Sequence, residues 1–148
     1  MDTRQKLEND LKEAIRSGDD MRKQNIRMIM SAVKLIEVEK GARLDETEIL
    51  SIIQKELKSR HEARLDAEKA NRPDLIQQAE TEIQFIETFL PRQLSENELD
   101  TLVNEAISET GATGPGDIGR VMKAVMPKIQ GRASGNQVNQ AVRKHLQS

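Results

Sequence analysis

The sequence predicts an all-α protein: a longer N-terminal helical bundle or hairpin, then a compact three-helix module. Three observations predict it. Apolar residues recur at helical spacing through almost all of the 148 residues, with no stretch of strict alternation. Ser, Asp and Gly stand where helices of that phase would begin and end. Phe85 and Phe89 are the only aromatics, so the core must come from Leu, Ile, Val, Met and Ala, which suits interlocking helices better than a sheet.

A first helix is expected from about Asp2 to Ser17, with Leu7, Leu11, Ala14 and Ile15 on one face and Gly18 ending it. Asp19 or Asp20 caps a second, reaching about Lys40 before Gly41. Its apolar residues, Ile26, Met28, Ile29, Met30, Val33, Leu35, Ile36 and Val38, cover more than one stripe. Such a helix packs on two sides, or also against a partner chain. Asp45 with Glu48 forms a capping box for a third helix, with a stripe of Leu50, Ile53, Leu57 and Leu65. Its later turns are charged, with Lys58/Glu62 and Arg64/Glu68 spaced i,i+4.

Asn71-Arg72-Pro73-Asp74 reads as a turn opening a fourth helix, in which Ile76, Ala79, Ile83, Ile86 and Phe89 form the stripe. Pro91 should end it at Leu90. The run Leu90–Ser95 is the expected boundary, giving domains 1–90 and 95–148. Ser95 and Glu98 form a second box, ahead of Leu99, Leu102, Val103, Ala106 and Ile107, and Gly111 closes that helix. After the turn Gly114-Pro115-Gly116-Asp117, a short helix carries Ile118, Val121, Met122 and Val125 and is expected to halt near Pro127. Gly131 breaks the chain, and Ser134 opens a last helix with Val138, Ala141, Val142 and Leu146.

The residue inventory excludes several chemistries. Without Cys there is no disulfide, thiolate metal site or cysteine nucleophile. His61 and His145 are the only imidazoles and do not stand at metal-ligand spacing, so neither a metal nor a cofactor is expected. His61 borders the third helix's stripe and reads as a packed or half-exposed helix residue. Gly114 to Gly119 spells G-x-G-x-x-G, but a helix precedes it and no strand pattern surrounds it, so these glycines serve turns and caps. No phosphate-cradling loop for ATP is present. No segment approaches the ~20 apolar residues of a membrane span. Met1-Asp2-Thr3-Arg4-Gln5 leads into no apolar stretch, so the expected location is cytoplasmic.

Charge is patterned in one place. The helix after Ser95 holds Glu96, Glu98, Asp100, Glu105 and Glu109 with no base. Beyond Asp117 the charged residues are Arg120, Lys123, Lys128, Arg132, Arg143 and Lys144. Two readings stand. Acidic and basic helices attract each other across the module, or the basic ones present an electropositive face to phosphate backbones. In Gly131-Arg132-Ala133-Ser134-Gly135-Asn136, small residues and a helix start could hold a phosphate, with Arg132 and Ser134 flanking it, or make an ordinary capped turn.

These segments resemble the YqeY family, whose C-terminal part is similar to the tail domain of GatB, one of the subunits of the aspartyl/glutamyl-tRNA amidotransferase. The resemblance rests on Leu90-Pro91-Arg92-Gln93-Leu94-Ser95, on Asp117-Ile118-Gly119-Arg120-Val121-Met122-Lys123 with Met126-Pro127-Lys128, and on Gly131-Arg132-Ala133-Ser134-Gly135. Family members often carry Asp where this chain has Ser134, and both residues cap helices. The resemblance implies a helical N-terminal domain, a tail domain associated with tRNA, and the family description of a carbon–nitrogen ligase with glutamine as amido donor. Transamidation needs a glutaminase nucleophile and an ATP site, and the sequence offers neither. The expectation is a tRNA-associated accessory module, not catalytic alone, with Arg120, Lys123, Lys128, Arg132, Ser134, Arg143 and Lys144 meeting tRNA. The alternative is a protein–protein adaptor using the apolar surface of the second helix.

Overall fold

Asp2 turns the chain into its first helix by accepting a hydrogen bond from the Gln5 N–H, while the Gln5 side chain returns to the Asp2 N–H. The same reciprocal cap recurs at Asp45/Glu48, Ser95/Glu98 and Ser134/Gln137. In a computed structural model, which describes residues 2–147, these signals give seven α-helices. They are α1 (Thr3–Ser17), α2 (Asp20–Lys40), α3 (Glu46–Lys69), α4 (Pro73–Glu87), α5 (Glu96–Thr110), α6 (Ile118–Ile129) and α7 (Gly135–Leu146). Among the described residues there is no strand, so the fold is all-α. Met1 and Ser148, the outer ends of the two expected domains, lie outside the described residues.

The chain forms two compact units, Met1–Pro91 and Arg92–Ser148. In unit 1, α3 and α4 make the most extensive pairing, and α1 and α2 complete the bundle. Its core is Leu7, Ile26, Ile29, Val33, Ile49, Ile53, Ile83, Phe85, Ile86 and their neighbours. Phe85 and Phe89 meet edge to face at 5.2 Å. A polar knot crosses this unit: buried Asn25 accepts a 3.0 Å hydrogen bond from Arg60, whose guanidinium also lies 2.7 Å from Glu82 and 3.5 Å from Glu56. Desolvated charges persist only when so compensated. Unit 2 has a smaller-grained core of Val103, Ala106, Val121, Val125, Ile129, Val138, Ala141, Val142 and Leu146.

Three local expectations differ from the structure. The third helix's stripe ends at Leu57, and Leu65 is 53% exposed. Ala67, one turn from Arg64's pairing with Glu80 on α4, takes the buried place instead. α4 ends at Glu87 rather than Leu90, because the N–H groups of Thr88, Phe89 and Leu90 switch to carbonyls three residues back. That tightened turn brings Phe89 and Leu90 into the core. α6 runs through Pro127 to Ile129, where fully buried Ile129 holds the last turn against the core. Pro127 sits near the helix end, so only one intrahelical bond is lost. Gln130 and Gly131, at φ 53° and 75°, then make the left-handed exit that Gly131 signalled.

Candidate nucleic-acid interface

The seven candidate residues all lie in unit 2, but their surroundings divide them. Lys128 Nζ sits 2.5 Å from Glu109 Oε1. Arg132 donates from Nε to the Arg92 carbonyl at 2.9 Å and lies 3.6 Å from Glu98. Lys144 Nζ is 4.0 Å from Glu96. All three acids are on α5, so the acidic helix faces three of the bases, closely at Lys128 and loosely at the exposed Lys144. His145 adds a fourth link from α7 to α5, with Nε2 3.0 Å from Asp100 Oδ1.

The other three bases escape α5. Arg120 pairs only within its own turn, at 2.9 Å from Asp117. Arg143 donates to the neutral Asn139 side chain at 2.6 Å and keeps its charge uncompensated. Lys123 is exposed and makes no ion pair with any described residue. Arg120 and Lys123, three apart on α6, lie on one face of that helix. Ser134 is spent on its cap: its Oγ accepts from the Gln137 N–H at 3.1 Å, and the Gln137 Oε1 accepts the Ser134 N–H at 2.8 Å. Phosphate contact at that helix start therefore falls to the N–H groups that the box leaves over.

Electrostatics fix this seam. Arg92 grips Glu98 through two hydrogen bonds of 3.0 and 2.8 Å. That bidentate bond, with the Ser95 N–H and hydroxyl, lowers the Glu98 pKa from 4.5 to about 2. Asp117 is likewise held below its ordinary value, first by the Thr113 N–H and then by Arg120. These groups stabilise turns and helix contacts. Among the described residues, no group of three His, Cys, Asp or Glu side chains could hold a metal ion. No helix among them is long and apolar enough to cross a membrane. The Gly114–Gly119 motif forms a 3₁₀ turn at Pro115–Asp117 and the start of α6.

Sequence reasoning missed two things. Which base meets which acid depends on the facing of α5, α6 and α7, which spacing along one chain does not encode. In unit 1, it gave α2 a broad apolar surface without separating its faces. Ile26, Ile29 and Val33 are buried, while Met28, Leu35 and Val38 are 49%, 61% and 71% exposed. Helical phase about Ile26 could have found that second stripe.

The family described as Yqey-like protein matches residues 4–146 of this chain. The protein named altered inheritance of mitochondria protein 41, mitochondrial, of Lachancea thermotolerans is 32% identical over 118 residues, covering 78% of this chain and 63% of that protein. The protein of that name from Vanderwaltozyma polyspora is 33% identical over 106 residues, covering 70% of this chain and 57% of its own length. The one from Pyrenophora tritici-repentis is 32% identical over 133 residues, with 86% and 71% covered. The chain thus spans 63% and 57% of the first two relatives. The cytoplasmic expectation is corrected by these relatives, each of which bears a mitochondrial name. It rested on the lack of an apolar leader, and mitochondrial targeting segments are amphipathic and Arg-rich rather than apolar.

Proposed function

This chain belongs to the Yqey-like protein family, and from that premise we propose that it is a non-catalytic helical accessory module that associates with tRNA through unit 2. The observation supporting this most is the segregation of charge, with every acid of unit 2 but Asp117 on α5 and every base but Arg92 on α6, on α7 or between them. The resemblance to a tRNA-associated tail domain points the same way. Arg120, Lys123 and Arg143 make the first phosphate contacts, because no α5 carboxylate competes for them. Lys128, Arg132 and Lys144 join only where phosphate displaces Glu109, Glu98 and Glu96. The shape of the backbone is read rather than the bases, since both Phe residues lie in unit 1 and unit 2 has no Phe, Tyr or Trp to stack on them. The family description of a carbon–nitrogen ligase then belongs to partners that supply a nucleophile and an ATP site. The names of the relatives support a mitochondrial setting.

The test is binding of the full chain to a total tRNA pool across a salt series. Affinity should fall with a log–log slope of about three, one unit for each freed phosphate contact. Absence of binding at low salt would overturn the reading.

A second reading is favoured by a specific observation. The exposed stripe Met28, Leu35 and Val38 lies along one helix. Clustered apolar exposure of that kind suits a protein–protein adaptor.

A further inference from the structure

The stripe on α2 adjoins a second feature of unit 1. Between α1 and α2 runs an open slot of about 450 Å³, floored by Leu7, Leu11, Met30, Val33 and Ile49. Arg4, Arg27, Lys34 and Glu37 also line it. Arg4 is committed: it donates to Glu37 at 2.7 Å, and Glu37 in turn accepts the Leu44 N–H at 2.8 Å. That backbone bond and Arg4 lower the Glu37 pKa, so this carboxylate stays ionised and occupied. Arg27 and Lys34 are exposed and make no hydrogen bond or ion pair with any described residue. The slot therefore offers an apolar floor with uncompensated positive charge along its α2 bank.

The spacing of those charges selects the occupant. Arg27 and Lys34 are seven residues apart on α2, hence about 10 Å along its axis at 1.5 Å per residue. Two exposed cations so separated on one bank can each meet an anionic group of its own. They match acidic side chains two turns apart on a second helix lying along the slot. Seven residues is also the repeat at which such a helix presents its apolar anchors.

We propose that this slot docks an amphipathic acidic helix of a partner protein. Its apolar anchors at i, i+3 or i+4, and i+7 face Leu7, Leu11, Met30 and Val33, and its carboxylates face Arg27 and Lys34. Leu35 and Val38 extend the contact along α2. The inference rests on the adaptor reading and gives the partner's chemistry.

Two synthetic helical peptides test the chemistry, identical in their Leu positions but carrying Glu or Lys on the flanks. Titrated into the ¹⁵N-labelled full chain, the Glu peptide should shift amides of α1 and α2 saturably and bind about tenfold tighter than the Lys peptide. The exposed double variant R27E/K34E should invert that preference and keep the wild-type helical spectrum. Equal affinity for both peptides, shifts centred outside α1 and α2, or tighter binding of anionic vesicles would overturn the proposal. A photo-crosslinker at Leu35 in cells separates this inference from the reading beneath it. A crosslinked acidic helical segment supports both. Capture of a segment without acids, or of a second copy of this chain, refutes the acidic helix and leaves the adaptor; no protein crosslink at all refutes both.

Discussion

Unit 1 and unit 2 are both helical bundles without a sheet, yet they leave opposite things uncovered. Unit 1 buries large residues such as Ile26, Ile53 and Ile86 completely, and still exposes Ile15, Met28, Leu35, Val38, Leu65 and Leu75. Unit 2 is built on Val, Ala and a few larger residues, and among its described residues Met126 is the one large apolar side chain that is exposed. What unit 2 leaves over is charge, and α5 neutralises much of it through Glu96, Glu98 and Glu109. Function is therefore to be sought in the remainder after each unit has satisfied itself. That remainder is an apolar stripe and slot in unit 1, and three bases that escape α5 in unit 2.

The largest effects should come from the two cores. Ile53→Ala in unit 1 and Ile129→Ala in unit 2 each remove a fully buried side chain. Each should cost about 2–5 kcal/mol. Hydrogen exchange should lose protection mainly within the unit that carries the substitution. Equal loss across both would break the division into two units.

Much of this was legible in the sequence. Two capping boxes, at Asp45/Glu48 and Ser95/Glu98, three glycine exits at Gly18, Gly41 and Gly111, and the apolar phase gave the helices to within a few residues. The errors arose where tertiary packing overrode a local rule. Buried Ile129 carried α6 past Pro127, and the tightened turn after Glu87 let Phe89 and Leu90 into the core. The candidate site was legible as a list of bases but not as an arrangement. Lys123 and Lys128 look alike in sequence, and only the facing of α5 makes one free and the other paired.

A smaller effect concerns the start of α7. Ser134→Ala removes the reciprocal cap with Gln137 and should cost about 1 kcal/mol. Ser134→Asp should retain the cap, and thermal denaturation compares the two. A melting temperature unchanged in Ser134→Ala would show that the box contributes nothing.

The seam in unit 2 gives a pH dependence. The pKa of Glu98 is lowered from 4.5 to about 2 on folding, so its contribution is present above 4.5 and is lost as pH falls towards 2. Glu98→Gln should lower stability at neutral pH and flatten the loss over that acid range. Denaturant midpoints measured from pH 7 to pH 2 would reveal it, and an unchanged profile in the variant would remove Glu98 from the account.

The smallest effect belongs to the exposed stripe of unit 1. Leu35→Ser with Val38→Ser should change stability by no more than about 0.5 kcal/mol, since neither side chain is packed. A markedly lower denaturant midpoint would mean that the stripe serves the fold and not a partner.

The claim that pairing with α5 decides which bases remain available is tested most directly by comparing two double variants in the tRNA salt series. Lys123→Ala with Arg143→Ala removes bases that α5 does not hold, whereas Lys128→Ala with Arg132→Ala removes bases paired to Glu109 and Glu98. The first pair should lower the log–log slope by about two units and the second should leave it nearly unchanged. Equal losses from both pairs, or a larger loss from the second, would contradict that claim.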